Sequence, residues 1–295
     1  MTSRAERESL VAEAERIIRT GSKSFRFASR LFDRQTRERA WLLYAWCRAC
    51  DDLVDGQTLG HGATRLEDPM ERVALARSLT ERALAGEEVG VPPFDALRVV
   101  AEECGIPHRF ITDHLDGFAL DATGWRPANQ ADLLRYCYHV AGTVGCMMAV
   151  VMGVPPGEEE VLRRAADLGI AFQLANIARD IVEDDGVGRT YLPADWLAES
   201  GLEQSTLSLP ESRPALAALA VRLADLAEPY QASARIGAAH LPPRSRWAVL
   251  TAANVYGDIA RKVVERGEKA WDSRTVVGKP AKLGHVARAL AASLR

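Results

Sequence analysis

The sequence lacks the features that mark nucleic-acid-binding, dinucleotide-binding or secreted proteins. Its net charge of −3 gives no general excess of positive charge, which binding to nucleic-acid phosphates normally requires. No G-x-G-x-x-G motif follows a strand pattern, so a dinucleotide site is not indicated. The charged N-terminus has no apolar signal-peptide core, and we therefore expect a cytoplasmic protein. From the net charge we expect that it binds no nucleic acid.

Cysteine is also scarce. The chain has five cysteines in 295 residues, and an odd number does not suit a framework of disulfides. Cys47 and Cys50 form a C-x-x-C motif, but they lie within a helical pattern and no second pair of metal ligands accompanies them. We therefore predict reduced thiols and a structural role for both residues.

A run long enough to cross a membrane is missing as well. The longest stretch of apolar or small residues, Val140 to Val154, reaches only about 22 Å as a helix, whereas the hydrocarbon core of a bilayer is about 30 Å thick. We predict a buried helix here. Peripheral association with the inner face of the membrane stays open, and a lipid-like substrate would make it useful.

Helical periodicity fills most of the chain, and no strand or hairpin pattern interrupts it. We predict an all-α fold in which one domain spans residues 1–295 and ten helices with short connections form one bundle. The segments Gln57 to Asp68 and Asp272 to Lys279 are expected to be exposed loops. The predicted helices are residues 5–19, 34–55, 70–85, 94–104, 108–121, 130–153, 158–185, 213–236, 244–269 and 280–293.

The helix predicted over residues 34–55 ends in carboxylates. At about 100° per residue, one arc of roughly 80° contains two aromatic residues, one arginine and two aspartates, with Asp52 beside it. These five residues are Trp41, Tyr44, Arg48, Asp51 and Asp55. Carboxylates at a helix C-terminus oppose the helix dipole, so something should compensate their charge. A solvated acidic helix end is the alternative, but the many apolar neighbours indicate a buried helix.

A second acidic stripe lies on the helix predicted over residues 158–185. Gln173, Asn176, Asp180 and Asp184 follow one another at spacings of 3, 4 and 4, so they share one face. Amide and carboxylate oxygens are the ligands that Mg²⁺ prefers, together with water and substrate phosphates. Two such helices facing each other across a cavity could hold Mg²⁺ ions that bridge a diphosphate and make it a leaving group. A polar face turned to water is the alternative reading.

Five ordered motifs carry a resemblance to a known family. They are Gly21-Ser22-Lys23-Ser24-Phe25, the run from Tyr44-Ala45-Trp46-Cys47-Arg48 to Asp55, the run from Tyr136 to Gly145, the run from Gln173 to Asp184, and Arg189-Thr190-Tyr191-Leu192-Pro193. With these motifs the chain resembles the squalene and phytoene synthase family, and within it the bacterial phytoene synthases, over nearly its whole length.

The resemblance implies an isoprenoid synthase helical bundle with a central cavity. It also implies the head-to-head condensation of two geranylgeranyl diphosphates to phytoene, through a cyclopropyl diphosphate and with release of diphosphate. This reaction is the first committed step of carotenoid biosynthesis. It requires Mg²⁺ or Mn²⁺, and no NADPH is expected because no reductant enters the reaction.

The resemblance assigns roles to residues at matching positions. It implies metal ligands at Asp51, Asp55, Asn176, Asp180 and Asp184. It implies contacts with diphosphate for Ser22, Lys23, Arg48, Arg179 and Arg189. It places Tyr44, Tyr136, Gln173 and Tyr256 near the reacting carbons, where π-faces stabilise cationic character. The catalytic set is thus Asp51, Asp55, Asp180, Asp184, Tyr44 and Arg48.

For several other residues the sequence is compatible with two roles. Asp121 resembles a further acidic position of the family, but a surface or capping role is open. Ala141, Gly142 and Gly145 would let a prenyl chain approach the backbone, or they serve ordinary helix packing. The six histidines show no metal-ligand spacing, and we expect them to be structural.

Three other functions compete with phytoene synthesis. A dehydrosqualene or squalene synthase would use two farnesyl diphosphates and carry the same motifs. A class I terpene cyclase also places metal ligands at i, i+4 and i+8 of one helix. A non-catalytic helical assembly protein is the alternative from a different class, and the retained acidic residues argue against it.

Overall fold

The computed structural model of the chain describes residues 2–21, 23–55 and 68–293, with the backbone alone for Lys23, Ser24 and Asp55. Within these ranges the secondary structure is helical and contains no strand, which confirms the all-α class. Ser22 and all but the last residue of the predicted loop Gln57 to Asp68 lie outside the described residues.

Thirteen α-helices occupy the described ranges. The ten predicted helices are all present, and their ends differ from the predicted ones by three residues or fewer. The helices are α1 (Arg4–Gly21), α2 (Lys23–Ser29), α3 (Arg34–Asp55), α4 (Pro69–Leu84), α5 (Pro92–Cys104), α6 (His108–Ala122), α7 (Gln130–Cys137), α8 (Thr143–Val151), α9 (Glu159–Gly186), α10 (Ala194–Glu199), α11 (Arg213–Gly237), α12 (Pro243–Arg266) and α13 (Lys279–Ser293).

The sequence pattern did not indicate α2 and α10. They contain 7 and 6 residues, so neither is long enough to show a 3.6-residue period. The predicted helix over residues 130–153 is interrupted, since a π-helical turn (Tyr138–Gly142) separates α7 from α8. Insertions of this kind in helices frequently occur at functional sites.

Local sequence signals explain where several helices begin. The Asp68 side chain accepts hydrogen bonds from the backbone N–H groups of Met70 and Glu71, each at 3.1 Å, and Pro69 takes the first helical position of α4. Asn129 caps α7 in the same way through the N–H of Asp132 at 3.1 Å. These caps satisfy donors that a helix N-terminus leaves without partners.

The two largest apolar clusters form most of the core of the described residues, and α9 contributes to both. Val161, Leu162 and Ala166 belong to the cluster built by α1, α3 to α6 and α8, whereas residues from Ile170 onwards belong to the cluster with α7, α10 and α11. Trp46 and Trp196 are completely buried, one in each cluster. Because α9 connects the two clusters, its polar stripe lies in the interior of the protein.

The approach of α9 to α8 and the π-helical turn depends on glycine. A Cβ on Gly169 would lie closer than 3.0 Å to the backbone of Ala141, and a Cβ on Gly145 would lie equally close to the backbone of Ala165. Gly145 therefore serves helix packing, which was one of its two sequence readings, although it also borders the cavity described below.

The remaining predictions concern the apolar run and the segment before α13. No helix in the described part of the chain is long and apolar enough to span a bilayer, and α8 is buried as expected. The segment from Asp272 to Lys279 is irregular and mostly exposed, as predicted, although two of its residues are buried. Thr275 and Val277 are 3% and 7% exposed. Val277 packs in a cluster with Ala281 of α13, and the Thr275 hydroxyl contacts Arg266 at 2.9 Å.

Candidate active site

A cavity of about 690 Å³ lies in the centre of the helices. Side chains from α3, α6, α9 and α12 line it, and the wall is mostly apolar with charged residues from α3 and α9. The side chains of Asp51 and Glu183 are 38% and 61% exposed, so the charged end of the cavity reaches solvent.

All of the predicted site residues whose side chains the structure describes line this one cavity. Asp55 and Lys23 are described only in their backbone, and Ser22 lies outside the described residues. The lining residues are Tyr44, Arg48, Asp51, Tyr136, Gln173, Asn176, Arg179, Asp180, Asp184, Arg189 and Tyr256. The structure thus brings together residues that are up to 212 positions apart, and their individual roles stay predictions.

On α3, Arg48 links two carboxylates. Its guanidinium lies 2.5 Å from Asp51 and 2.8 Å from Asp52, and its side chain is only 15% exposed. These ion pairs offset the charge that accumulates at the C-terminal end of α3. Tyr44 lies one turn earlier, and burial raises the pKa of its hydroxyl to about 12, so it stays protonated.

On α9, the carboxylates are more crowded. Asp180 forms an ion pair with Arg179 and a second one with Arg274, whose guanidinium lies 3.2 Å away and also contacts Glu183 at 2.5 Å. Burial, together with the neighbouring carboxylates of Asp180 and Glu183, raises the pKa of Asp184 to about 7. The guanidinium of Arg189 lowers this pKa, but by less than the two effects raise it. The carboxylates of α9 therefore repel one another, although arginines contact Asp180 and Glu183.

The donor set at the charged end suits a hard divalent cation. Asp51 lies on the α3 side of the cavity and Asn176, Asp180 and Asp184 lie on the α9 side, so all four present oxygen atoms to one space. The raised pKa of Asp184 indicates that a positive charge would stabilise its ionised form. These residues fit Mg²⁺ or Mn²⁺.

A second compact group of possible metal ligands does not include any of these four residues. Among the described residues, Asp113, Asp116 and His139 have ligand atoms within 4.8 Å of one another. Each is already engaged in the protein: Asp113 accepts a hydrogen bond from Tyr138, Asp116 pairs with Arg77, and His139 Nδ1 lies 2.8 Å from a backbone carbonyl. We assign this group a structural role.

Asp121 faces the cavity and is held by two tyrosines, so its surface reading was wrong. The hydroxyl of Tyr136 donates to its carboxylate at 3.0 Å and that of Tyr191 donates at 2.9 Å. The rings of Trp125, Tyr136 and Tyr191 stack in succession, with centroids 5.8 and 4.8 Å apart. Sequence reasoning quoted Tyr191 in a motif but gave it no role, because its partner lies 70 residues away.

Two further basic residues were missed. Lys282 on α13 lines the cavity, and Arg274 reaches the stripe of α9 from the irregular segment before α13. Neither lies in a helix stripe with other site residues, so no local spacing marks them. They bring the C-terminal part of the chain to the charged end of the cavity.

Aromatic and small side chains form the wall beyond the charged end. Phe172 and Tyr256 stack with centroids 3.9 Å apart and an interplanar angle of 14°. Ala141 and Val144 belong to the predicted tunnel wall and line the cavity, as do Met148 and Met152. Such a surface can hold a hydrocarbon chain and exclude water.

Two further titratable side chains of the wall, those of His114 and Cys47, are uncharged. Burial lowers the pKa of His114 to about 4, and its Nδ1 lies 3.2 Å from the carbonyl of His139, so the imidazole is neutral and donates from that nitrogen. Cys47 also lines the cavity, and burial raises the pKa of its thiol to about 12. All five cysteines are free thiols, as predicted.

Comparison with known proteins identifies similar chains over nearly the full length. The family model for squalene/phytoene synthase matches residues 18–281. A phytoene synthase of Pseudescherichia vulneris is 49% identical over 276 residues, which cover 93% of this chain and 89% of that protein. A 15-cis-phytoene synthase of Pantoea ananas is 48% identical over 277 residues, with the same coverage of both chains. Among solved structures, a dehydrosqualene synthase in complex with a ligand superimposes with a TM-score of 0.86 at 26% identity, covering 97% of both chains.

Proposed function

The chain belongs to the squalene/phytoene synthase family, and from that premise we propose that it is a phytoene synthase. The observation that carries the proposal is the identity of 48 to 49% to curated phytoene synthases over 93% of this chain. The same relatives argue against a terpene cyclase or a non-catalytic assembly protein. The proposed substrates are two molecules of geranylgeranyl diphosphate.

The reaction has two ionisations. Loss of diphosphate from the first substrate gives an allylic cation that adds to the double bond of the second substrate, and loss of one proton closes the ring of a cyclopropyl diphosphate. Loss of the second diphosphate starts a rearrangement to the linear C40 skeleton, and loss of one proton gives phytoene. Two substrates thus yield one phytoene, two diphosphates and two protons, and no nicotinamide is consumed.

The metal site we propose consists of Asp51, Asp55, Asn176, Asp180 and Asp184. Bound Mg²⁺ would neutralise the diphosphate and make it a better leaving group. The chain's own contribution is to hold carboxylate and amide oxygens on two facing helices, where burial and neighbouring carboxylates already favour a positive charge. The support for this site is the donor chemistry and its position at the charged end.

We assign the diphosphate contacts to basic residues around the metal site. Arg48, Arg179 and Arg189 line the cavity, and Ser22 and Lys23 complete the set by their position in the family motif. Arg48 and Arg179 pair with aspartates that we propose as metal ligands or their neighbours. An arginine so placed can exchange a carboxylate partner for a phosphate oxygen with little loss of hydrogen bonding.

The cavity wall protects the carbocations. Tyr44, Tyr136, Gln173 and Tyr256 border the space next to the charged end, and the burial of the tyrosine hydroxyls keeps them protonated and weakly nucleophilic. Their π-faces stabilise positive charge without forming a bond to it. The methionines, valines and alanines farther along exclude the water that would quench the cation.

A dehydrosqualene synthase is the second candidate, because a protein of that name has the same fold over 97% of this chain. It would condense two C15 substrates in the same way. The two candidates separate in one experiment, in which the purified protein receives farnesyl diphosphate or geranylgeranyl diphosphate at equal concentrations. A kcat/KM in favour of the C20 substrate supports our proposal, whereas a preference for the C15 substrate establishes the second candidate.

A further inference from the structure

The cavity continues along α9 well beyond its charged end. The residues of α9 that line it extend from Asp184 back to Val161, near the start of the helix. Asn176 lies 15 residues after Val161, which spans about 22 Å at the helical rise. On α3 the lining runs in the same direction, from Asp51 at the charged end to Ala40 nearer the start of that helix. Both helices therefore lead from the charged end into a long and mostly apolar stretch.

The helix α8 runs antiparallel to α9 along this stretch. Gly145 packs against Ala165, and one turn earlier on α8 the backbone packs against Gly169, which lies one turn later on α9. Continuing the same register by one turn places Ala149 beside Val161. The apolar residues of α8 and α9 that line the cavity around this level are Met148, Ala149, Met152 and Val161. We call these four residues the far-end cluster.

The length of this wall fits a chain of four isoprene units. One extended unit adds four carbon–carbon bonds of about 1.5 Å each, and it therefore measures about 5 Å. A C15 chain that starts at the level of Asn176 thus ends after about 15 Å, beside Ala165 and Gly145. The fourth unit of a C20 chain, which extends to about 20 Å, lies beside the far-end cluster.

One charged residue borders the same stretch but directs its charge elsewhere. Arg164 lines the cavity, and its guanidinium forms an ion pair with Glu160 at 2.7 Å. The Glu160 side chain is 59% exposed, so this pair lies at the surface. The aliphatic stem of Arg164 packs against Gly237, where a Cβ would lie closer than 3.0 Å to it. The space beside the far-end cluster is therefore apolar.

From the length of the wall and the register of α8 and α9 we propose that the far-end cluster selects a C20 over a C15 substrate by enclosing the fourth isoprene unit. The proposal rests on the proposed function and names the residues that decide the substrate length. Ala149 leaves room for the unit, while Met148, Met152 and Val161 contact its carbons. A C15 chain leaves this space unfilled and loses the burial of one isoprene unit. A fifth unit would meet Met152 at the C-terminal end of α8.

The test compares the binding of two substrate analogues that do not react. In the thiolodiphosphates of geranylgeraniol and farnesol, sulfur replaces the bridging oxygen and slows the loss of diphosphate. With full-length protein and Mg²⁺, we expect the Kd of the C20 analogue to be lower by about tenfold or more, since one methylene in an apolar pocket already contributes that much. Val161→Phe should raise the Kd of the C20 analogue by about tenfold or more and that of the C15 analogue by less than about threefold.

Leu162→Phe is the matched control for this substitution. Leu162 is the next residue of α9 and is 1% exposed, but it packs in the core instead of lining the cavity. The added volume should lower the stability of both variants, whereas only Val161→Phe should change the ratio of the two Kd values. Circular dichroism at the assay temperature checks that the helices are intact. A loss of affinity for both analogues alike, or an equal change of the ratio in Leu162→Phe, would overturn the assignment.

Met152→Ala tests the far-end cluster without adding volume. The substitution opens space at the end of α8, so the thiolodiphosphate of a C25 alcohol should bind about tenfold more tightly than it binds to the wild type. The affinity for the C15 analogue should stay unchanged, because that chain ends before Met152. The same affinity of wild type and Met152→Ala for the C25 analogue would contradict the proposed limit.

Turnover of geranylgeranyl diphosphate separates this proposal from the proposed function. A protein that shows the expected ratios of Kd values but forms no phytoene contradicts the proposed function alone. A protein that forms phytoene, and whose preference for the C20 analogue survives Val161→Phe, contradicts the role of the far-end cluster alone.

Discussion

The hydroxyl of Tyr191 donates a hydrogen bond to Oδ1 of Asp121 at 2.9 Å, and this contact joins the turn after α9 to the end of α6. Tyr136 donates to the same carboxylate from the adjacent, stacked ring. Two neutral donors thus fix an anionic group in the cavity wall. Burial raises the pKa of both hydroxyls, so each remains a donor at neutral pH.

We expect Tyr191→Phe to leave the ring stack in place and to free one side of the Asp121 carboxylate. Loss of a hydrogen bond to a charged group should lower the free energy of unfolding by about 1.5–3 kcal/mol, and kcat/KM should fall with it. Thermal unfolding and steady-state kinetics measure the two effects. Tyr230→Phe serves as the control, since the Tyr230 hydroxyl makes no contact with Asp121. Equal stability and equal kcat/KM for wild type and Tyr191→Phe would contradict a role of Tyr191 in positioning the Asp121 carboxylate.

The acidic stripes should be essential for turnover but not for folding. We expect Asp51→Ala or Asp180→Ala to reduce turnover by more than about 100-fold, since residues that only orient metal ligands already contribute about 10- to 100-fold. Helical content by circular dichroism should be nearly unchanged. Calorimetric titration with Mg²⁺ and diphosphate provides a binding readout that does not depend on activity.

Asp185→Ala is the matched control for these substitutions. Asp185 lies on the same helix but bonds the hydroxyl of Ser208 instead of facing the cavity, so its loss should leave Mg²⁺ binding intact. Normal turnover by both Asp51→Ala and Asp180→Ala would show that the metal assignment is wrong.

The close packing of α9 against the π-helical turn leads to a prediction about stability. We expect Gly169→Ala to destabilise the fold by about 1–3 kcal/mol or more, because the added Cβ meets backbone atoms of Ala141 that cannot move aside like a flexible side chain. Gly186→Ala, at the end of the same helix, has nothing within 4 Å of the new Cβ. It should be neutral or stabilising by up to about 1 kcal/mol. Urea unfolding distinguishes the two, and equal stability of both variants would contradict the packing account.

Acid should weaken the attachment of α1. Arg7 donates hydrogen bonds to Glu38 at 2.8 Å and to Glu103 at 2.5 Å. Burial disfavours the charged form of each carboxylate, but the arginine hydrogen bonds outweigh it, and the pKa of both groups lies below the ordinary 4.5. Their contribution to stability is therefore present above pH 4.5 and is lost as the pH falls through the lowered pKa values of the folded state.

Arg7→Gln should remove part of this pH dependence. We expect it to lower the free energy of unfolding by about 1–3 kcal/mol at pH 7 and by less at pH 3, where the carboxylates are protonated. Arg4→Gln is the control, because the Arg4 side chain is 92% exposed and its ion pair with Glu8 contributes little. A loss of stability for Arg7→Gln that is the same at both pH values would contradict the assignment.

Local spacing predicted the helices and both polar stripes, because a period of 3.6 residues is a property of short segments. Gln173, Asn176, Asp180 and Asp184 are readable in this way, and they line the cavity together. The contacts of Arg274 with Asp180 and of Tyr191 with Asp121 connect residues 94 and 70 positions apart. No periodicity encodes such pairs, so only the packed fold shows them.

The structure also decides between the two interpretations at one of the small residues Ala141, Gly142 and Gly145. The run of small residues before α8 fits a tunnel wall and a close helix contact equally well as a pattern. At Gly145 the structure decides for packing, because a Cβ there would lie closer than 3.0 Å to the backbone of Ala165. The π-helical turn escaped prediction, since a single inserted residue leaves the apolar pattern of the segment unchanged.

The most direct test of the whole account is product analysis of the purified protein with geranylgeranyl diphosphate and Mg²⁺ and without a reductant. We expect phytoene as the hydrocarbon product, with two diphosphates released for each phytoene and no turnover after chelation of the metal. Formation of cyclic terpenes alone, or no conversion of any prenyl diphosphate, would contradict the account.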